Sequence, residues 1–173
     1  MSPRRESSEA SEGYKRQLWV SKDLSGNRAS PIIWQPGKRK MVVCNSQKSV
    51  IGVDLATGET IWEAPAGGSS TPVASGQYLV VHAKEETLGL AVYRWNGTGV
   101  ELAWKAPKLT RRSDSSPLVK DGQVYLFGAD MRACHDLKTG KTKWKEVGKH
   151  DISSPVLADG RIFAYEIKAS FIH

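Results

Sequence analysis

Nucleophilic, metal or redox chemistry needs reactive side chains brought together, and this sequence supplies few. Cys44 and Cys134 are the only two cysteines. They suit neither a disulfide framework nor a cysteine-based zinc site, both of which need several sulfur ligands at close spacing. His82, His135, His150 and His173 lack metal-ligand spacing, and carboxylates do not gather with asparagine as a calcium site requires. The most promising polar run is Leu109-Thr110-Arg111-Arg112-Ser113-Asp114. Two guanidiniums beside a carboxylate can hold an anionic group or a peptide. A solvated loop, or an internal pair between Asp114 and an arginine, accounts for the same residues and is the favoured alternative.

Those residues must be placed by the elements around them, and composition bounds what these are. The chain has 173 residues, 39% hydrophobic and 25% charged, with 16 glycines and 6 tryptophans. Many glycines between short apolar runs point to tight turns and an all-β chain. The formal net charge is +7, yet the cations are spread along the chain apart from Arg4-Arg5, Lys38-Arg39-Lys40 and Arg111-Arg112. Clusters that small read as solvated turns, so no nucleic-acid partner is expected. No run approaches the ~20 apolar residues of a membrane-spanning helix, and the start offers no apolar core for an export signal. Direct membrane insertion is therefore not expected. Residues 1–13, rich in Ser, Glu and Arg, are expected to be disordered.

An internal repeat organises the rest. Trp19, Trp62, Trp104 and Trp144 are spaced 43, 42 and 40 residues apart. A small polar residue followed by proline keeps the same phase, at Ser30-Pro31, Thr71-Pro72, Ser116-Pro117 and Ser154-Pro155. After each proline come an apolar segment, a glycine turn and a second apolar run. A third strand then ends in Asp-x-x-Thr-Gly, as Asp54 to Gly58 and Asp136 to Gly140, and a fourth strand carries the tryptophan. Proline suits a first strand position, which need not donate to a ladder. The Asp-Gly and Thr-Gly pairs supply the positive φ of short hairpin turns. The tryptophan is expected near the rim, wedged between adjacent units.

Four short antiparallel strands per ~40 residues, repeated radially, make a β-propeller blade. The fold class is thus all-β, a propeller of four-stranded blades, with residues 14–173 forming about three full blades and partial ones at either side. Units end near Trp19, Trp62, Trp104 and Trp144, and a partial blade fills 145–173. The second repeat is degenerate: Trp95-Asn96-Gly97-Thr98-Gly99 replaces the aspartate turn and the following segment is longer, so an enlarged or bulged hairpin is expected. Asn96-Gly97-Thr98 also matches a glycosylation sequon, but Asn-Gly is first a turn signal. Trp34 and Trp95 fall outside the repeat position, and packing between blades is the expectation for both. His82 aligns with Cys44, Gly128 and Tyr165 as a variable strand end.

Aspartate, Thr-Gly and tryptophan, followed by Ser153-Ser154-Pro155-Val156-Leu157-Ala158-Asp159-Gly160-Arg161-Ile162-Phe163, resemble the pyrroloquinoline-quinone-type propeller repeat over residues 17–167. That repeat occurs in quinone-dependent dehydrogenases, in the non-enzymatic lipoprotein that assists outer-membrane barrel assembly and in many large bacterial proteins; the last segment looks much like the last group, and the chain as a whole is most similar to the lipoprotein-like bacterial proteins. The resemblance specifies the fold strongly and the activity weakly. It implies rings of seven or eight blades, so this chain reads as an incomplete ring; a tight four-bladed ring and two copies closing one ring are the alternatives. The family's enzymes carry adjacent cysteines near the quinone, which are missing here.

The expectation is a non-catalytic scaffold with no cofactor and no metal, binding a protein partner, with self-association possible through open blade edges. The alternatives are part of a quinone-dependent dehydrogenase whose active site lies in other blades, and a carbohydrate- or surface-binding module. The resemblance also implies a periplasmic or cell-surface setting. Propellers bind ligands at one end of the channel, through loops entering the inner strand. Counting back three residues from each proline gives Arg28, Ser69, Asp114 and Ile152; Arg28, Arg111, Arg112 and Asp114 are the candidate ligand-binding residues.

Overall fold

The computed structural model describes residues 18–21, 24, 28–107, 114–128, 130–147 and 151–167. The segment 1–13, expected to be disordered, lies outside them, as do Arg111 and Arg112.

Three four-stranded antiparallel sheets follow one another along the chain. The first blade contains β1 (Ile32–Trp34), β2 (Met41–Asn45), β3 (Ser49–Asp54) and β4 (Thr60–Pro65). The second contains β5 (Val73–Ser75), β6 (Tyr78–His82), β7 (Leu90–Trp95) and β8 (Val100–Ala106). The third contains β9 (Leu118–Lys120), β10 (Gln123–Phe127), β11 (Met131–Asp136) and β12 (Thr142–Val147). Beyond them, β14 (Val156–Ala158) pairs with β15 (Arg161–Phe163), and β13 (Asp151–Ile152) pairs with β16 (Glu166–Ile167). Each sheet is a simple meander, which is the blade read from the repeat. The sheets do not close a ring: the chain is an incomplete propeller.

Period-2 alternation explains how the blades stack. In the second blade, Leu79, Val81, Ala91 and Tyr93 face the first blade, packed with Trp34, Met41, Val43, Val50 and Trp62. Val80, Leu90 and Val92 face the third blade, packed with Val124, Leu126, Met131 and Leu137. A central blade is thus buried on both faces, and its strands read as continuous apolar runs. The outer strand β12 is exposed along its whole length.

Register reveals a device that the sequence pattern did not. In all three blades the outer strand carries a β-bulge just before the repeat tryptophan. Gly52 faces Trp62 but Val53 faces Thr60; Val92 faces Trp104 but Tyr93 faces Leu102; Cys134 faces Trp144 but His135 faces Thr142. The extra residue (Ile61, Ala103 or Lys143) kinks the strand and re-aims the indole. The same register aligns His82 with Asn45 and Phe127, which corrects the assignment of His82 to the slot of Cys44 and Gly128.

Candidate functional site

The recurring polar side chains of the repeat are joints between blades. The backbone N–H of Ser30 donates to Thr71 Oγ1 (3.1 Å), that of Thr71 to Ser116 Oγ (2.9 Å), and that of Ser116 to Ser154 Oγ (2.9 Å). Each rung lies immediately before Pro31, Pro72, Pro117 or Pro155, so the Ser/Thr-Pro marker is a hydroxyl ladder running from blade to blade at the inner-strand entry. The proline has no N–H of its own, and the residue before it supplies the donor.

A second joint is built from tryptophan and glycine. Trp19 Nε1 donates to the Leu55 carbonyl at 2.9 Å, and Trp104 Nε1 to the Leu137 carbonyl at 2.8 Å. Each indole lies on the glycine of the next turn: a Cβ on Gly58 would sit 2.5 Å from Trp19 Cδ2, and one on Gly140 would sit 2.7 Å from Trp104 Cδ2. The aspartate fixes that turn. Asp54 Oδ1 accepts from the N–H groups of Ala56 and Thr57, and Asp136 Oδ1 from those of Lys138 and Thr139. Those donors hold the Asp54 carboxyl below its ordinary range, with a smaller contribution from Arg39; for Asp136 the Thr139 N–H and hydroxyl lead.

The junction between the first and second blades departs from this scheme. Trp62 folds back over its own sheet, with Nε1 3.2 Å from Met41 Sδ. Gly52 permits it, since a Cβ there would lie 2.3 Å from Trp62 Cε2. The equivalent positions, Val92 and Cys134, carry side chains. Trp34, 4% exposed, meets Trp62 and Trp95 edge-on at 6.2 and 6.1 Å, and its Nε1 donates to the Gly76 carbonyl at 2.9 Å. Both non-repeat tryptophans are therefore inter-blade packing, as expected. The degenerate turn is an enlarged hairpin with two added cross-strand pairs, Arg94 opposite Glu101 and Trp95 opposite Val100. Asn96 Oδ1 accepts from the N–H groups of Thr98 (3.2 Å) and Gly99 (2.9 Å), taking over the aspartate's role. Trp144 also differs from Trp19 and Trp104: it is 42% exposed and rests on Tyr125 and Phe127 of its own blade.

Among the described residues, two clefts differ in character. One, of ≈ 720 Å³, lies at the rim between the first and second blades, lined by Lys38, Arg39, Asp54, Glu59, Ile61 and Trp95 among others. The other, of ≈ 430 Å³, lies at the opposite end, lined by Gln47, Lys48, Gly68, Ser69 and Lys84. This second cleft contains one of the residues counted back from the prolines. Among the others, Arg28 and Asp114 are exposed and Ile152 lies in β13. Of the candidate set Arg28, Arg111, Arg112 and Asp114, the two middle arginines lie outside the described residues.

Two strand ends near that cleft, at Asn45 and His82, carry buried polar side chains. Asn45 is buried; its Nδ2 donates to the Gly68 and Ser70 carbonyls, and its Oδ1 accepts from the Gly67 N–H. In the equivalent place His82 Nδ1 donates to the Ser115 carbonyl at 2.9 Å; a carbonyl only accepts, so Nδ1 carries the proton. Burial pushes the His82 pKa below its ordinary value, opposed by the Ser115 bond and the charge of Asp114. Asn45 and His82 each fasten the loop leading to the next blade. Sequence reasoning missed this role because the two side chains differ in chemistry and the alignment was one residue out.

A quinone site of the dehydrogenase kind needs oxygen ligands for calcium, a carboxylate base and, by resemblance, adjacent cysteines. Among the described residues no group of three or more His, Cys, Asp or Glu side chains could share a metal ion. Cys44 and Cys134 lie in different blades and both thiol pKa values are raised by burial. These residues do not fit the group.

A meander of four-stranded blades joined by tryptophan–glycine and hydroxyl contacts defines a propeller of the quinoprotein-repeat class. Residues 19–106 match the sequence profile of the family described as outer membrane protein assembly factor BamB, and the chain belongs to that family. In three dimensions it is similar to BamB from Moraxella catarrhalis, with a TM-score of 0.61 at 18% identity over 82% of this chain. The chain covers 44% of that structure, less than half its length, and the likeness concerns the fold. No curated protein matches the chain in sequence.

Proposed function

We propose that this chain is a non-catalytic propeller segment that presents loops and clefts to a protein partner during outer-membrane protein assembly, in a periplasmic or surface setting. The family's description supports the process. The observation that carries the non-catalytic part is the fate of the repeat's polar side chains: Asp54, Asp136, Thr71, Ser116, Ser154, Trp19 and Trp104 bond to backbone groups of their own or a neighbouring blade. Such groups hold the turns and the blades in place. In this reading the propeller segment spans residues 14–173. Self-association through the exposed outer strand β12 belongs to the same reading.

The test is fluorescence anisotropy of a labelled, urea-unfolded outer-membrane β-barrel protein diluted into a titration of the folded chain. Saturable binding, absent with an unfolded cytosolic protein of similar length, is expected. Equal binding of both, or of neither, overturns the reading.

A further inference from the structure

Internal comparison of the blade junctions shows what the rim cleft is shaped to hold. At two junctions a repeat indole covers the glycine of the next turn, with Trp19 on Gly58 and Trp104 on Gly140. At the junction between the first and second blades Trp62 is folded back on Gly52, and the ≈ 720 Å³ cleft opens at that place. The equivalence is fixed by the backbone. The N–H groups of Leu55, Trp95 and Leu137 donate to the carbonyls of Lys40, Gln77 and Gly122, the residues just before β2, β6 and β10. Trp95 therefore stands where Leu55 and Leu137 stand, next to the seat of the missing indole. The cleft walls, Ile61 and Trp95 with Thr57 and Thr98, suit a flat apolar side chain with polar groups at its edge.

Charge adds a direction. Arg39 is paired with Asp54 at 3.3 Å, and Asp54 Oδ1 is already held by its own turn. Lys38 gives the lip formed by residues 37–39 a cationic margin, and Glu59 also lines the cleft. The whole chain carries +7, which steers acidic segments toward it.

We propose that this cleft receives an aromatic side chain from an acidic, extended segment of a protein partner, seated as Trp19 and Trp104 are seated at their junctions. This rests on the protein-binding reading above and names the chemistry of the partner.

The probe is the capped peptide Gly-Asp-Trp-Asp-Gly, titrated into the full chain by isothermal calorimetry beside Gly-Asp-Ala-Asp-Gly and Gly-Asn-Trp-Asn-Gly. The tryptophan peptide is expected to bind at least tenfold more tightly than the alanine peptide. Lys38→Glu is expected to weaken the acidic peptide several-fold while sparing the asparagine version. Gly52→Val should drive Trp62 outward into the cleft and abolish binding. Thr98→Trp, at an exposed hairpin position, fills the same space without disturbing the core and keeps the test valid if Gly52→Val fails to fold. Equal affinity for the tryptophan and alanine peptides, no binding of either, or unimpaired binding by Thr98→Trp overturns the proposal. The labelled unfolded barrel protein is run in parallel. If it binds the parent and Thr98→Trp equally, the protein-binding reading stands and the aromatic seat falls; if it binds neither, the reading itself falls.

Discussion

Replacing Gly140 by alanine separates two costs that usually arrive together. Gly140 has φ +72°, and a Cβ there would lie 2.7 Å from Trp104 Cδ2 and 2.8 Å from Cγ. Those are the inner atoms of the indole, which cannot swing aside without breaking the bond from Nε1 to the Leu137 carbonyl. Gly122 has nearly the same backbone, φ +70°, with nothing within 4 Å of its added Cβ. Gly122→Ala therefore reports the left-handed backbone cost alone, about 1 kcal/mol. Gly140→Ala adds overpacking of about 1–3 kcal/mol, for a total of about 2–4 kcal/mol. At about 2–4 °C per kcal/mol for a chain of this size, Tm should fall by roughly 3 °C in the first case and by roughly 6–12 °C in the second. Urea unfolding followed by far-ultraviolet circular dichroism measures both. In a Trp104→Ala background the extra cost of Gly140→Ala should vanish, because the clashing partner is gone. Equal destabilisation by Gly122→Ala and Gly140→Ala, with or without Trp104, would refute the tryptophan–glycine joint.

Three further outcomes follow from the same joints. Ser116→Ala removes the acceptor of the Thr71 N–H and should cost about 1–3 kcal/mol in urea unfolding, whereas alanine at the exposed Ser69–Lys84 cleft should change stability little. Trp104→Ala should cost about 3–5 kcal/mol, and Trp144→Ala clearly less, since Trp144 is 42% exposed; equal costs would contradict the assignment of Trp144 as an unsealed joint. The pKa values of His82 and His135 are lowered chiefly by burial, so the unfolded chain binds the proton first. Their contribution is complete above the unfolded value near ~6.5 and is lost as pH falls below it, at up to about 1.4 kcal/mol per pH unit for each. Unfolding free energy measured from pH 7.5 to 5.5 should decline, and decline less in His82→Gln; a flat profile would refute the buried neutral imidazoles.

The fold was legible because its information is local and repeated. Trp19, Trp62, Trp104 and Trp144 and the four prolines each mark one unit in phase, and turn glycines such as Gly122 sit at the positive φ their motif requires. The joints were less legible because they link residues some 33–45 positions apart, which no local pattern encodes. The bulges before the tryptophans leave no mark in residue type: Ile61, Ala103 and Lys143 share no chemistry. The inversion of Trp62 had one signal, Gly52 in mid-strand, but its meaning depended on register. The clefts arise from how adjacent blades differ, so a reading built on what repeats passed over them. Of the candidate ligand residues, Arg111 and Arg112 lie outside the described part of the chain, and the proposed aromatic seat is formed instead by Trp95 and its neighbours.

The proposed function requires that the polar side chains of this quinoprotein-type repeat serve to join blades and not to hold a quinone. Thermal unfolding of the chain with pyrroloquinoline quinone and calcium, together and separately, tests this most directly. A ligand present at a hundred times its dissociation constant would stabilise the fold by about 2.7 kcal/mol, a rise in Tm of roughly 5–11 °C for a chain of this size. No change in Tm and no shift in the quinone absorption spectrum are expected. A rise in that range, accompanied by a spectral shift and requiring both quinone and calcium, would contradict it.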